Sequence, residues 1–173
     1  MRRLVVTTVC LVTFGSLPAA AGELKVGDVA PNFTLQASDG HIYVGGFQRK
    51  TGRRAGVVSQ AYTRGCTLEC KSLAEHGDMV KMYDAKYFMI SVDPLSENTG
   101  FAARQHADFP LLSDTTKKPA DAYGVLRMIG RANRWTFYIS KDGRIQAIDK
   151  DVKPATSAED MAARPRELRT PTR

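Results

Sequence analysis

A nearly continuous apolar run, Tyr87 to Val92, is the feature that most limits what this chain can fold into. A half-buried strand alternates apolar and polar residues, whereas a strand buried on both faces of a sheet is apolar at almost every position. Asp93 and Pro94 follow at once and end the run, because proline cannot donate a hydrogen bond to a neighbouring strand. The run therefore predicts the central strand of a sheet that is covered on both faces.

Strand-like and helix-like segments alternate around this run. A short hairpin turns at Ser38-Asp39-Gly40, and a second turns at Lys141-Asp142-Gly143. A closing helix is predicted from Ser157 to about Arg164, where Pro165 should end it. The pattern indicates an α/β fold with a central mixed β-sheet flanked by helices and an N-terminal β-hairpin. The predicted strands are residues 33–35, 41–44, 55–61, 87–92, 109–112, 135–139 and 145–148, and the earlier helices begin at Cys66, at Ser96 as an N-cap, and at Pro119.

The first 21 residues are typical of a secretory signal peptide. Arg2 and Arg3 form a basic head, Leu4 to Phe14 is apolar, and Ala19-Ala20-Ala21 offers a cleavage site of small residues. The apolar core is too short to span a bilayer, so the mature protein should have no membrane span. We expect a periplasmic or secreted protein whose domain covers residues 22–173, with a frayed tail from about residue 165.

The charge pattern argues against a nucleic-acid partner. The full chain has a net charge of +7, two of whose positive residues lie in the predicted signal peptide. The densest basic run, Arg49 to Arg54, lies between two strand-like segments and is interpreted as a solvated loop. Aromatic residues do not alternate with basic ones in the way that single-stranded nucleic acid requires.

Two cysteines remain after the signal peptide, and they lie where a strand gives way to a helix. Cys66, Cys70, Leu73 and Val80 share one helical face, and Gly77 should end or kink that helix. A cysteine at a helix N-terminus faces free N–H groups and the positive end of the dipole, which favour the reactive thiolate. A cross-link four residues apart stabilises a fold little. The pair therefore predicts redox turnover or metal binding.

Six segments in order extend this prediction to a family. They resemble the peroxiredoxins, most closely the Q-type or bacterioferritin-comigratory branch of the alkyl hydroperoxide reductase and thiol-specific antioxidant superfamily. The resemblance covers residues 25–164 and implies a thioredoxin-like fold and peroxidase activity. The matching segments are Val26 to Phe33, Ala61 to Thr67, Ile90 to Asp93, Phe109 to Asp114, Ala122 to Val125 and Arg134 to Ile139.

The resemblance also implies site residues. Cys66 matches the peroxidatic thiol, whose thiolate attacks a hydroperoxide, while Thr63 and Arg134 match the groups that hold the peroxide. Cys70 would be the resolving thiol, although the family places that residue five positions on rather than four, and a buried core residue is the alternative. Ser59 stands where the family has proline.

Cofactors and partners follow from the same resemblance. The chain should need no metal, flavin or haem, and it should act on hydroperoxides as a monomer or weak dimer. A thioredoxin-like dithiol protein would restore the thiols after each turnover.

Three other interpretations compete with a peroxidase. A copper chaperone would use the Cys-x-x-x-Cys spacing, because soft thiolates select Cu(I). Its third ligand is a histidine on a late loop, but residues 126–133 contain none, and His41, His76 and His106 lie elsewhere. A dithiol oxidoreductase favours Cys-x-x-Cys, which is missing. A peroxiredoxin-like thiol sensor without turnover is the third.

Overall fold

The computed structural model describes residues 23–45, 53–59, 63–168 and 171–172. Within these ranges the chain forms a mixed sheet of seven strands in the order β2-β1-β5-β4-β3-β6-β7. β3, β4 and β5 are parallel to one another, whereas β1 and β6 run antiparallel to their neighbours β5 and β3. The strands are β1 Phe33–Ala37, β2 Ile42–Gly45, β3 Arg53–Ser59, β4 Ala85–Ser91, β5 Leu111–Ser113, β6 Trp135–Ile139 and β7 Ile145–Asp149.

Helices cover both faces of the sheet. A 3-10 turn, Pro154–Thr156, precedes the last of them. The helices are α1 Arg64–His76, α2 Asp78–Lys81, α3 Leu95–Arg104, α4 Lys118–Ala122 and α5 Ser157–Glu167. The predicted α/β fold with a central mixed sheet and an N-terminal hairpin is confirmed.

The apolar run forms the central strand β4, as predicted, and its successive side chains feed two cores. Tyr87 and Met89 pack in one core, beneath α1 and α5, while Phe88 and Ile90 pack in the other with α4. This division follows from the strand geometry, because successive side chains point to opposite faces. Both cysteines lie in the first core, so α1 covers the sheet with the face that carries them.

Two tight turns join the hairpin strands as predicted. Gly40 and Gly143 both adopt positive φ, at 80° and 81°, a region that glycine enters without steric cost. Gly40 N donates to Ala37 O at 3.0 Å, and Gly143 N donates to Ser140 O at 3.0 Å. These turns connect β1 to β2 and β6 to β7.

Two of the predicted helix ends are wrong in detail. Ser96 is not a helix cap, because α3 begins at Leu95 after Pro94, which makes no capping bond with its side chain. Pro165 does not end α5, which continues to Glu167. A proline so near the C-terminus removes one hydrogen bond, and the buried ring of Pro165 packs inside the fold in exchange.

The tail is also better held than expected. Leu168 packs against the core that contains the cysteines. Further on, Asp84 N donates to Pro171 O at 2.9 Å, and Tyr83 forms an isolated antiparallel bridge with Thr172. The described part of the segment after residue 165 is therefore anchored to the domain rather than frayed.

Several predictions concern residues outside the described ranges. The signal peptide over residues 1–21, residues 49–52 of the basic run and residues 60–62 before α1 belong to this group. The last two residues of that run, Arg53 and Arg54, were predicted to lie in a loop but instead begin β3. Ser59 ends β3, where its backbone pairs with Ser91, but its side chain is not among those described. Within the described ranges, no helix is long and apolar enough to cross a bilayer.

Candidate active site

Thr63 positions the first cysteine by capping α1. Its backbone is extended, with φ of −82° and ψ of 153°, and its hydroxyl oxygen accepts a hydrogen bond from Cys66 N at 3.2 Å. This is the usual role of threonine before a helix, since the first N–H groups lack partners within the helix. Cys66 consequently lies in the first turn of α1, at the positive end of the helix dipole.

The same hydroxyl reaches the sulfur of Cys66. The Oγ1 of Thr63 lies 3.0 Å from Cys66 Sγ and donates to it. One hydroxyl can accept from an N–H and donate its own hydrogen at the same time, so the two roles do not compete. The structure thus brings Thr63 to Cys66 both as a helix cap and as a donor to sulfur.

Arg134 approaches the sulfur from a neighbouring strand. It directly precedes β6, which runs antiparallel to β3, with Trp135 paired to Val58. This register brings the start of β6 to the end of β3 that leads towards α1. The guanidinium then places Nη2 3.4 Å from Cys66 Sγ. Two donors, a hydroxyl and a guanidinium, therefore converge on one buried sulfur.

A buried carboxylate holds that guanidinium, and sequence reasoning missed it. Glu69 lies one turn after Cys66 on α1, is fully buried, and accepts from Arg134 Nη1 at 2.7 Å. Its other oxygen accepts from Ser157 Oγ at 3.4 Å. Burial raises the pKa of Glu69 to about 7, with Arg134 and Ser157 opposing that rise. The sequence did carry a signal for this residue. Glu69 lies between the two cysteines on a helix whose cysteine-bearing face is predicted to be buried, and a glutamate is seldom buried without a partner.

Gly65 is a second residue that sequence reasoning missed. A Cβ atom built on it would lie 2.7 Å from Arg134 Nη2 and 3.1 Å from its Cζ. No real Cβ comes so close to a nitrogen, so any side chain here would displace the guanidinium. The glycine before the cysteine gives the arginine room to reach the sulfur.

Cys70 is placed differently from Cys66. It is fully buried in the core beneath α1, and both thiols are free. Burial raises the pKa of Cys70 to about 12, and the neighbouring Glu69 and Cys66 add to the rise. In this conformation Cys70 is therefore a neutral thiol one helical turn from Cys66.

The three histidines considered as a third copper ligand lie on separate elements of the fold. His41 lies on the N-terminal hairpin near Asp39, His76 ends α1, and His106 follows α3. Among the residues that the structure describes, no group of three or more histidine, cysteine or acidic side chains is arranged to hold a metal ion. A third ligand for copper beside the two thiols is thus missing from the described part of the chain.

Known proteins resemble this chain in sequence and in fold. Residues 26–148 match the sequence profile of the AhpC/TSA family. The chain is 31% identical to peroxiredoxin Bcp of Escherichia coli over 140 residues, which span 75% of this chain and 88% of that protein. It is 30% identical to the chloroplastic peroxiredoxin Q of Triticum aestivum over 139 residues, which span 73% and 59% of the two chains. The peroxidoxin BcpB structure from Mycobacterium tuberculosis matches with a TM-score of 0.75 at 25% identity, covering 84% of this chain and 99% of that one.

Proposed function

The chain belongs to the AhpC/TSA family, and we propose that Cys66 is the sulfur through which this peroxiredoxin reduces hydroperoxides. The family membership confirms the predicted thioredoxin-like fold and makes the protein a thiol peroxidase of the Bcp and Q branch. One observation supports Cys66 in particular, namely the convergence of Thr63 Oγ1 and Arg134 Nη2 on its sulfur in the first turn of α1.

In the first step, the Cys66 thiolate attacks one oxygen of the peroxide. A sulfur–oxygen bond forms as the oxygen–oxygen bond breaks, so the sulfur becomes a sulfenic acid and the other oxygen leaves as an alkoxide or hydroxide. That leaving oxygen takes a proton and departs as alcohol or water. Charge moves from sulfur to the leaving oxygen during this step.

Thr63 and Arg134 are placed to stabilise negative charge on the sulfur and then on the leaving oxygen. Both donate to Cys66 Sγ, so a peroxide beside the sulfur would meet the same donors. A guanidinium carries several N–H groups in a fixed plane, so it can donate to the sulfur and to a peroxide oxygen together. Donors already aimed at the developing charge lower the barrier without reorganising during the reaction.

Cys70 is proposed to resolve the sulfenic acid by forming a disulfide with Cys66 and releasing water. Residues four apart on a helix have Cβ atoms roughly 5–6 Å apart, whereas a disulfide needs about 3.5–4.5 Å. The high pKa of the buried Cys70 also disfavours its attacking form. Loosening the start of α1 would bring the Cβ atoms of Cys66 and Cys70 closer and would at the same time expose the Cys70 thiol to water.

Hydrogen exchange tests this loosening. Amide exchange over Cys66 to Leu73 should rise when the protein is oxidised, while exchange in β4 should stay constant and serve as an internal control. Equal exchange in both redox states would show that Cys70 does not resolve by this route.

An external dithiol protein of the thioredoxin type is proposed to reduce the Cys66–Cys70 disulfide, leaving its own two cysteines joined. Turnover of hydrogen peroxide with such a donor, in the wild type and in two serine variants, tests the whole scheme. Cys66→Ser should abolish consumption, and Cys70→Ser should react once and then stall or over-oxidise. Equal rates for wild type and Cys66→Ser would exclude the proposal, and a wild type that reacts only once would favour a sensor.

Export of the protein is a separate proposal that rests on the sequence of residues 1–21. N-terminal sequencing of protein expressed from the full gene should begin near Gly22. Recovery of the intact N-terminus from the cytoplasmic fraction would contradict export without affecting the peroxidase chemistry.

A further inference from the structure

The last helix is tied to α1 by two buried side-chain hydrogen bonds. Ser157, the first residue of α5, donates from Oγ to Glu69 Oε1 at 3.4 Å, and Ala158 N donates to Ser72 Oγ at 3.1 Å. Glu69 is fully buried, Ser157 is 1% exposed and Ser72 is 5% exposed. The two bonds lie side by side, but only the first touches the carboxylate that holds the active-site arginine.

A continuous chain of hydrogen bonds therefore runs from α5 to the reactive sulfur. Ser157 donates to Glu69, Arg134 donates to the other oxygen of the same carboxylate, and the guanidinium donates to Cys66. We propose that Ser157 is a positioning residue that aims Arg134 at Cys66 through Glu69. This inference rests on the proposed roles of Cys66 and Arg134.

The physical reason is that a buried carboxylate has few ways to replace a lost donor. A side chain that water cannot reach must satisfy its oxygens within the protein. With Oε2 occupied by Arg134, the hydroxyl of Ser157 is the side-chain donor to Oε1 among the residues that the structure describes. Removing it favours rotation or protonation of the carboxylate, and either change frees the guanidinium from its anchor.

The alternative is that Ser157 merely joins two helices, and the neighbouring bond supplies a matched control. Ser157→Ala and Ser72→Ala each remove one buried hydrogen bond between α1 and α5. Both should lower the melting temperature to a similar extent. Only Ser157→Ala should slow the reaction of Cys66 with hydrogen peroxide. A loss of about three- to tenfold is expected, less than the full value of a hydrogen bond to a charged group, because the serine acts on the sulfur only through Glu69 and Arg134.

Three further readouts separate positioning from a purely structural role. Ser157→Thr keeps the hydroxyl and should keep the rate constant, even if its extra methyl group lowers the melting temperature. In an Arg134→Gln background, Ser157→Ala should cause no further loss, because the arginine on which it acts is gone. The acid limb of the rate–pH profile should move to higher pH in Ser157→Ala, since the hydroxyl helps to keep Glu69 ionised.

Equal rate constants for Ser157→Ala and Ser72→Ala would overturn the inference. So would a Ser157→Ala effect that persists undiminished in the Arg134→Gln background, or a Ser157→Thr rate as low as that of Ser157→Ala. Alkylation of Cys66 by iodoacetamide, measured on the same variants, keeps the two proposals distinguishable. If the wild type consumed no peroxide, the proposed mechanism would fail, while alkylation rates would still report the link between Ser157 and the sulfur.

Discussion

Replacing Gly65 by alanine should separate catalysis from stability in this protein. Gly65 is in the first turn of α1, with no positive φ that would penalise a side chain. An alanine there should stabilise the helix by about 0.5–1 kcal/mol, because glycine loses more backbone freedom on folding. The same methyl group enters space that belongs to the guanidinium of Arg134.

The size of the displacement follows from the distances. The added Cβ would lie 2.7 Å from Arg134 Nη2, whereas ordinary contact begins at 3.4 Å. The guanidinium must therefore withdraw by about 0.7 Å, a move that stretches its contacts with Cys66 and Glu69. A misplacement near 1 Å in an active site can cost about a hundredfold in rate, so we expect a loss of about ten- to a hundredfold.

Stopped-flow fluorescence can measure this loss, because Trp135 is the single tryptophan of the chain and adjoins Arg134. The second-order rate constant with hydrogen peroxide should fall in Gly65→Ala, while the urea midpoint of unfolding should change little, because the gain in helix stability offsets the stretched ion pair with Glu69. Gly100→Ala, an exposed change of the same kind in α3, should leave the rate constant at the wild-type value. A wild-type rate constant for Gly65→Ala would refute the argument that Gly65 makes room for the arginine.

Three further predictions concern α1. The folded-state pKa of Glu69, about 7, lies above its ordinary value of 4.5, so the stability of the protein should fall as the pH rises from 4.5 to 7. Glu69→Gln has no titrating carboxyl here, so its melting temperature should lack this part of the fall. A dependence of melting temperature on pH identical to that of the wild type would contradict the prediction. Thr63→Val should lower the free energy of unfolding in urea by about 1 kcal/mol and slow the reaction of Cys66 with peroxide, because it removes the hydroxyl that caps α1 and donates to the sulfur. Thr63→Ser keeps the hydroxyl and should preserve both the stability and the rate. A valine variant that reacts as fast as the serine variant would exclude the hydroxyl as a donor. Gly77→Ala should cost about 1–3 kcal/mol, since its Cβ would lie 2.1 Å from the Tyr87 hydroxyl oxygen, and adding Tyr87→Phe should recover part of the loss in the same urea assay.

Among the proposed site residues, those that carry a local signature could be suggested from the sequence. Cys66 is recognisable because a cysteine that opens a helix is chemically unusual, and Thr63 because threonine three residues before that position is a standard cap. Arg134 was predicted as a site residue because the segment that begins with it resembles the corresponding segment of the family. The structure brings all three together at hydrogen-bonding distance.

The residues that were missed make their contacts across the fold rather than along the chain. Glu69 looks like an ordinary helical glutamate until α5 closes over it, and Ser157 looks like a helix-start serine until it reaches Glu69. The need for a glycine at position 65 is evident only in the folded protein, where the guanidinium of Arg134, next to β6, occupies the space that a side chain would take. None of these pairs is close in sequence, so a local pattern could mark Glu69 as an unusual residue between two cysteines but could not indicate the partner of any of the three.

By itself, the sequence determined the family and the α/β layering and pointed to Cys66 as the candidate reactive thiol, because strand periodicity, turns and helix caps are local properties of neighbouring residues. Tertiary structure alone decided what surrounds that thiol. It placed Arg134 against Cys66 across the sheet, buried Glu69 beneath α5, and left Cys70 neutral in the core. Burial sets the charge of Glu69 and Cys70, and long-range contact sets the orientation of Arg134; both exist only once the layers have packed.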